Sequence, residues 1–188
     1  MNRIILILLV FASFNLKAQE TEFKFTKEGF TDYVVNSIEG KTAQELYNKT
    51  LDWINVTYKN PNSVIKAKIE NEYIRIEGVS SKLLCVKTLG LLTCNDAKYQ
   101  IEISFKDGKY KFDLIKLEEY IPQTKYTYNS GWSDISLTNT TAYYKENGDI
   151  KNLFKLYPAA IEGEFNSLNK SLNDFIKSES IPSKKSDW

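Results

Sequence analysis

The residues that could do chemistry in this chain are few, and one class is missing, because the sequence contains no histidine. That removes the usual general base near neutral pH and the commonest metal ligand. Cys85 and Cys94 are its two cysteines. Two thiolates alone make a poor zinc site, whereas in an oxidising compartment a pair at this spacing can bridge neighbouring strands or a loop. A disulfide is therefore expected; the alternative is two free, buried side chains acting as small hydrophobes. Glu118 and Glu119, with Asp134 near Trp132, could be drawn as a carboxylate pair over a sugar-binding aromatic. Paired-carboxylate hydrolysis needs a set separation across the substrate, and neighbours in a strand point to opposite faces, so these read as exposed charge. Ser63 and Lys66, like Ser167 and Lys170, have Ser-x-x-Lys spacing. Neither pair has the companion Ser-Asp-Asn or Lys-Thr-Gly motif, so neither is taken as a nucleophile. The eight glycines are scattered, with no loop to cradle a phosphate. No catalytic residue, metal ligand or cofactor is assigned.

The stretch from Glu118 to Asn139 carries Tyr120, Tyr126, Tyr128 and Trp132 among polar and small residues. Such rings can form a binding platform, since they offer large rigid area with a polar tip. They can equally pack against a sheet edge and close the core, and sealing is the favoured reading. Tyr126, Tyr128 and Trp132 are then expected to be mostly buried; exposed and coplanar, they would be the binding residues.

The elements that must position these residues follow from periodicity. Thr42 and Glu45 form a capping box, and Ala43, Leu46, Tyr47, Thr50, Leu51 and Ile54 recur at three- and four-residue spacing. A helix is expected over 42–59, with Trp53 and Tyr58 widening its stripe and Asn60-Pro61 stopping it. Upstream, Phe23-Lys24-Phe25 reads as an edge piece and Thr31–Ile38 as a strand. After Pro61 the period becomes two: Ile65, Ala67 and Ile69, then Ile74 and Ile76, then Tyr99, Ile101, Ile103 and Phe105 alternate with polar residues. Asp107-Gly108 is a two-residue hairpin turn returning through Tyr110, Phe112 and Leu114, and the phase shift to Ile115 and Leu117 suggests a bulge. Leu89-Gly90-Leu91 lies between the cysteine strands, and a buried hairpin end is preferred there to an exposed apolar loop. Pro158 opens a second helix to about Lys177, with Ile161, Phe165, Leu168, Leu172, Phe175 and Ile176 in one stripe. The other face of the sheet, including Lys66, Arg75, Glu77, Lys98, Glu102, Lys111 and Asp113, is mixed charge and should be wet.

At 188 residues, 26% charged and 42% hydrophobic, the chain has room for one globular domain. Residues 1–18 read as a signal peptide: Arg3, the apolar run Ile4–Phe14, and small or apolar residues up to a cleavage point near Ala18. This run is too short to span a membrane, so no transmembrane segment is expected in the mature chain. Cleavage removes Arg3 and Lys17 and no acidic residue, turning a net charge of +1 slightly negative. Only Arg75 then remains to offer a guanidinium fork. Nucleic acid, which calls for a positive surplus, is excluded as a partner.

Residues 28–78 and 99–114 resemble a bacterial family of exported proteins whose domain of unknown function has a TATA-binding-protein-like fold. The resemblance covers roughly Phe23–Leu117 and rests on Leu46-Tyr47 and Trp53, Tyr58-Lys59-Asn60-Pro61, and Phe105-Lys106-Asp107-Gly108-Lys109-Tyr110. It implies half of a saddle and transfers no DNA-binding, catalytic or other functional residue. The expected fold is α+β in two layers: an antiparallel sheet of five or six strands with two long helices on one face, over residues 22–177, then a flexible tail at 178–188. The expected role is a non-enzymatic binding or protein-interaction module of the cell envelope, periplasmic or extracellular, for an unidentified envelope protein or small ligand. The alternative is a carboxylate-dependent hydrolase acting on envelope polymers.

Overall fold

Alternation of apolar and polar residues between Ile65 and Ile121 produces one antiparallel sheet, and the two apolar helical stripes lie across its inner face. The computed structural model describes residues 21–125 and 129–178. The expected leader at 1–18, Tyr126, Tyr128 and nearly all of the tail lie outside the described residues. In chain order the elements are β1 (Phe25–Thr26), β2 (Gly29–Phe30), β3 (Tyr33–Ser37), α1 (Ala43–Thr57), the short α2 (Pro61–Val64), β4 (Ile65–Ile69), β5 (Tyr73–Thr88), β6 (Leu91–Lys106), β7 (Lys109–Ile121), β8 (Gly131–Asp134) and α3 (Tyr157–Lys177). Among the described residues the main sheet has six strands in the order β3-β7-β6-β5-β4. Both β3 and β8 pair with β7, β3 along its first half and β8 along its last residues.

The core begins as a row across four strands: Val34, Phe112, Ile103 and Ile74 stand in register and are fully buried. Ile76, Ile101 and Leu114 make the next row. Leu46, Tyr47, Trp53 and Ile54 of α1, and Ile161, Phe165, Leu172 and Ile176 of α3, close over them. The helices lie side by side, joined by a hydrogen bond from Trp53 Nε1 to Ser171 Oγ at 3.1 Å. Asn169, buried in α3, accepts at Oδ1 from Tyr110 Oη (3.1 Å) and from Asn36 Nδ2 (2.9 Å), so its burial leaves no unpaired acceptor.

The caps tie the layers together. The Thr42–Glu45 capping box is present, and Asp107 Oδ1 accepts from Ala43 N at 2.8 Å, satisfying one more free donor at the start of α1. The Asp107-Gly108 turn therefore serves both the hairpin and the helix. The predicted bulge is Ile115, left over where Gln100 pairs with Lys116 and Ile101 with Leu114. Ile115 points outward, and Leu117 returns to the core.

Three expectations need correction. The helix ends at Thr57, before the proline, and Pro61 starts a fresh helical turn, as suits a residue with no N–H to donate. Phe23-Lys24-Phe25 forms no edge of the main sheet. Phe25 pairs only with Phe30, in a two-stranded ladder, while Phe23 is pinned to α3 by Asn166, which accepts from Phe23 N and donates to Phe23 O. Their rings are buried, Phe23 stacking on Phe30 at 5.1 Å. Third, Leu89-Gly90-Leu91 ends a hairpin, but an exposed one. Leu89 is 99% exposed, Leu91 75% and Leu92 61%. The cause is length: strands of 16 residues extend about 50 Å, whereas helices of 15 and 21 residues reach only about 22 and 31 Å.

Gly78 faces Tyr99 directly across the β5–β6 ladder, and the tyrosine ring lies over it. A Cβ at Gly78 would meet Tyr99 Oη at 2.4 Å. The ring has little room to retreat, being buried edge-on against Phe165 and bonded to Tyr58 Oη at 3.1 Å. Gly78→Ala should therefore lower stability by about 1–3 kcal/mol through overpacking, read by urea denaturation, and Gly78→Ala/Tyr99→Leu should recover part of it. A Gly78→Ala protein as stable as the parent would contradict this packing.

Cys85 and Cys94 are paired across the same ladder, with Cα atoms 4.0 Å apart, and are joined as a disulfide. Intact mass of the protein purified without reductant should rise by two hydrogens on reduction. An unchanged mass would show free thiols.

Candidate functional site

The face of the sheet away from the helices is held by ion pairs, as alternation places them. Across strands, Arg75 meets Glu102 at 2.7 Å and Lys66 meets Glu77 at 3.2 Å; along β7, Lys111 meets Asp113 at 2.9 Å. A hydrogen bond from Gln100, then Lys66, holds the Glu77 carboxyl below the usual range. Such a face is solvated and mostly offers balanced charge.

One corner differs. Tyr120 on β7 and Trp132 on β8 are register partners, so their rings share this open face and meet edge-on with centroids 5.2 Å apart. Tyr120 is 43% exposed and Trp132 39%. Lys98 of β6 places Nζ 4.6 Å from the Trp132 ring centre, a cation–π contact, and also pairs with Glu118 at 2.9 Å. Lys116 reaches Glu118 at 3.2 Å and Asp134 at 3.4 Å. Its hydrogen bonds to Glu118 and then to Asp134 raise its pKa, so it stays cationic.

Trp132 therefore does not seal the core. The short strand β8 continues the sheet, and its alternation turns Trp132 outward with Asp134 while the chain beyond turns Ile135 inward. The Tyr120 and Trp132 rings stand at 65° to each other. Tyr126 and Tyr128 lie outside the described residues. Sealing falls instead to Tyr143, Phe154 and Tyr157, which meet one another edge to face or tilted, with Tyr143 also against Phe25. Their signal in the sequence was only their proximity to the second helix.

Glu118 and Glu119 separate onto opposite faces, as expected for strand neighbours. Glu119 turns inward, accepting at Oε1 from Tyr157 Oη and from Asn95 Nδ2, both at 2.8 Å. Burial, then the Glu119 charge, raises the Tyr157 phenol, which stays protonated and donates. Glu118 and Asp134 are brought together as register partners on the open face. Hollows lie elsewhere: one of about 520 Å³ along Thr21–Asp32, and one of about 610 Å³ between Lys27 and the stretch from Thr138 to Lys151. Glu28 in the first is held below the carboxylate range by its hydrogen bond with Thr26. Among the described residues no cluster of three or more His, Cys, Asp or Glu could hold a metal. No helix among them is long and apolar enough to cross a membrane.

Residues 33–120 match a family described as a domain of unknown function (DUF4468) with TBP-like fold. No curated protein matches the chain. Two solved structures are similar. A DUF4468 family protein from Bacteroides ovatus superposes with a TM-score of 0.58 at 12% identity, covering 80% of this chain and 88% of its own. A TBP-like protein from Parabacteroides distasonis gives 0.55 at 16% identity, covering 78% of this chain and 91% of its own. At these identities the likeness shows the fold alone, and it agrees with a six-stranded antiparallel sheet carrying two helices. Residues 33–120, which hold β3 to β7 and the first helix, thus match a DUF4468 domain with a TBP-like fold, and β8 with Trp132 lies beyond the match.

Proposed function

We propose that this chain is an exported, non-enzymatic binding module of the cell envelope that meets its partner, an envelope protein or small ligand, through the open face around Tyr120, Trp132 and Lys98. The observation that carries the reading is the Tyr120–Trp132 pair: two large rings in contact, each about two-fifths exposed, on a face that otherwise carries ion pairs, the outward Ile115 and the exposed Tyr33 ring under Lys111. Tyr and Trp supply rigid contact area at little entropic cost, and binding hot spots are rich in them. Export is supported by the disulfide, which suits an oxidising compartment, and by the leader-like residues 1–18. The absence of histidine supports a non-catalytic role, as do carboxyls tied up in ion pairs. The carboxyls with shifted pKa, Glu28, Glu45 and Glu77, are all shifted down, opposite to a general acid.

A hydrolase acting on envelope polymers is the second reading, favoured by Glu118 and Asp134 facing each other beside Trp132. Against it, Lys116 sits on both carboxylates and Lys98 on Glu118, where a substrate would have to lie.

The test uses the chain from Gln19 onward and its Trp132→Ala variant as paired baits in envelope extract. Because Trp132 lies on the outer face, the substitution should cost no more than about 1 kcal/mol and leave the melting temperature nearly unchanged. A partner captured by the parent should be lost. Capture that survives the substitution, or a stability loss of about 3 kcal/mol as for a buried aromatic, would contradict the proposal. Release of soluble fragments from envelope polymers, abolished by Glu118→Gln, would favour the hydrolase.

A further inference from the structure

Beyond the ladder with the neighbouring strands, β5 and β6 run on alone as a two-stranded ribbon. β4 pairs only as far as Ile76 on β5, and β7 only as far as Ala97 on β6. Ser81–Leu83 form a three-residue bulge opposite Asp96, whose Oδ1 accepts from Lys82 N at 2.8 Å, and the disulfide then clamps the ribbon. The tip is Thr88-Leu89-Gly90-Leu91. Leu89 and Gly90 both have positive φ, 50° and 83°, as the tightest hairpin turn requires. Asn or Asp before the glycine would suit that turn; a leucine in the left-handed region is strained, and here it is held fully in solvent. A local preference overridden at an exposed position points to a use for the side chain.

We infer that the Leu89–Leu92 tip is a wedge that docks the domain on an anionic phospholipid bilayer, beyond whatever the open face binds. The leucines encircle the tip instead of forming one face. Leu91 pairs with Thr88 and Leu92 with Lys87, so they point to opposite sides, while Leu89 occupies the end. A partner protein's flat surface, or a second copy, would cover one side, and three leucines fall well short of the ~800 Å² per partner of a standard interface. A bilayer surrounds the tip on all sides. The charge fits as well: Asp96 stands opposite Lys82 at the ribbon's base, and beyond it, from Leu83 to Asn95, the ribbon carries Lys87 and no acidic residue, whereas the rest of the sheet alternates signs. The depth is limited. The ribbon's outer edges carry unpaired backbone groups that cannot enter hydrocarbon, and Lys87 sits at headgroup level once the leucines are immersed.

The chain from Gln19 onward contains every described core residue, from Phe23 to Ile176, and is the protein to test. It should co-sediment with vesicles of phosphatidylglycerol and phosphatidylethanolamine, and more weakly with phosphatidylcholine alone. The variant Leu89→Asn/Leu91→Thr/Leu92→Thr keeps the turn and strand preferences, so its melting temperature should not fall. Its vesicle partitioning should drop by at least about tenfold, as expected for removing three immersed leucines. The inference is overturned if the parent stays in the supernatant with both lipids, or if the variant binds as well as the parent. It is also overturned if the parent ignores vesicles but dimerises in a leucine-dependent way, which would make a second copy the occupant. Trp132 is untouched by these substitutions, so open-face capture fails or survives independently.

Discussion

The molecule depends on one packing constraint: the inner face of a long-stranded sheet must be covered, and only two helices lie over it. The row of Val34, Phe112, Ile103 and Ile74, with Ile76, Ile101 and Leu114 beside it, is dry because Leu46, Trp53, Ile54, Ile161, Phe165 and Leu172 lie over it. Where the helices run out, other devices take over. The phenylalanines before β3 fold back under α3, and Tyr143, Phe154 and Tyr157 close the remaining side. What no element covers becomes surface: the open face, and the ribbon beyond Val86, the last of its side chains packed on the core.

That division explains which features could be read from the sequence. Local chemistry was legible because its causes are local. The Thr42–Glu45 box, the Asp107-Gly108 turn, the bulge after Leu114 and the helix opened at Pro158 each depend on neighbours a few residues away. Alternation likewise separated Ile101, Ile103 and Phe105 from Gln100, Glu102 and Ser104. What alternation cannot supply is the extent of the cover. Leu89, Leu91 and Leu92 look like core residues by type and are exposed because of where the helices end. Trp132 was misplaced for a related reason. A four-residue strand in an irregular stretch has too few positions to reveal its period, and its face follows from pairing with Tyr120. Phe23 and Phe25 are set by contacts with α3 far along the chain, of which their own neighbourhood holds no trace.

The two uncovered regions differ in chemistry. The open face holds its charges in ion pairs across and along strands, with two rings and a lysine at one corner and Tyr33 under Lys111 at another. The ribbon tip has apolar side chains, Lys87 beside them and no carboxylate. A balanced face with an aromatic corner suits a selective partner, whereas an apolar tip with a positive base suits an anionic, deformable surface. The disulfide between Cys85 and Cys94 gives the ribbon the rigidity it lacks for want of a third strand or a helical cover.

Residue-resolved amide hydrogen exchange of the oxidised protein in aqueous buffer tests most directly that helical cover divides core from surface. The strongest protection should fall on Ile74, Ile76, Ile101, Ile103, Phe105 and Phe112. It should fall away along the ribbon, so that Val86–Thr93 exchange far faster than the same two strands under the helices. Protection that continued undiminished to Leu91 would mean that something in the domain covers the tip, and would contradict this account.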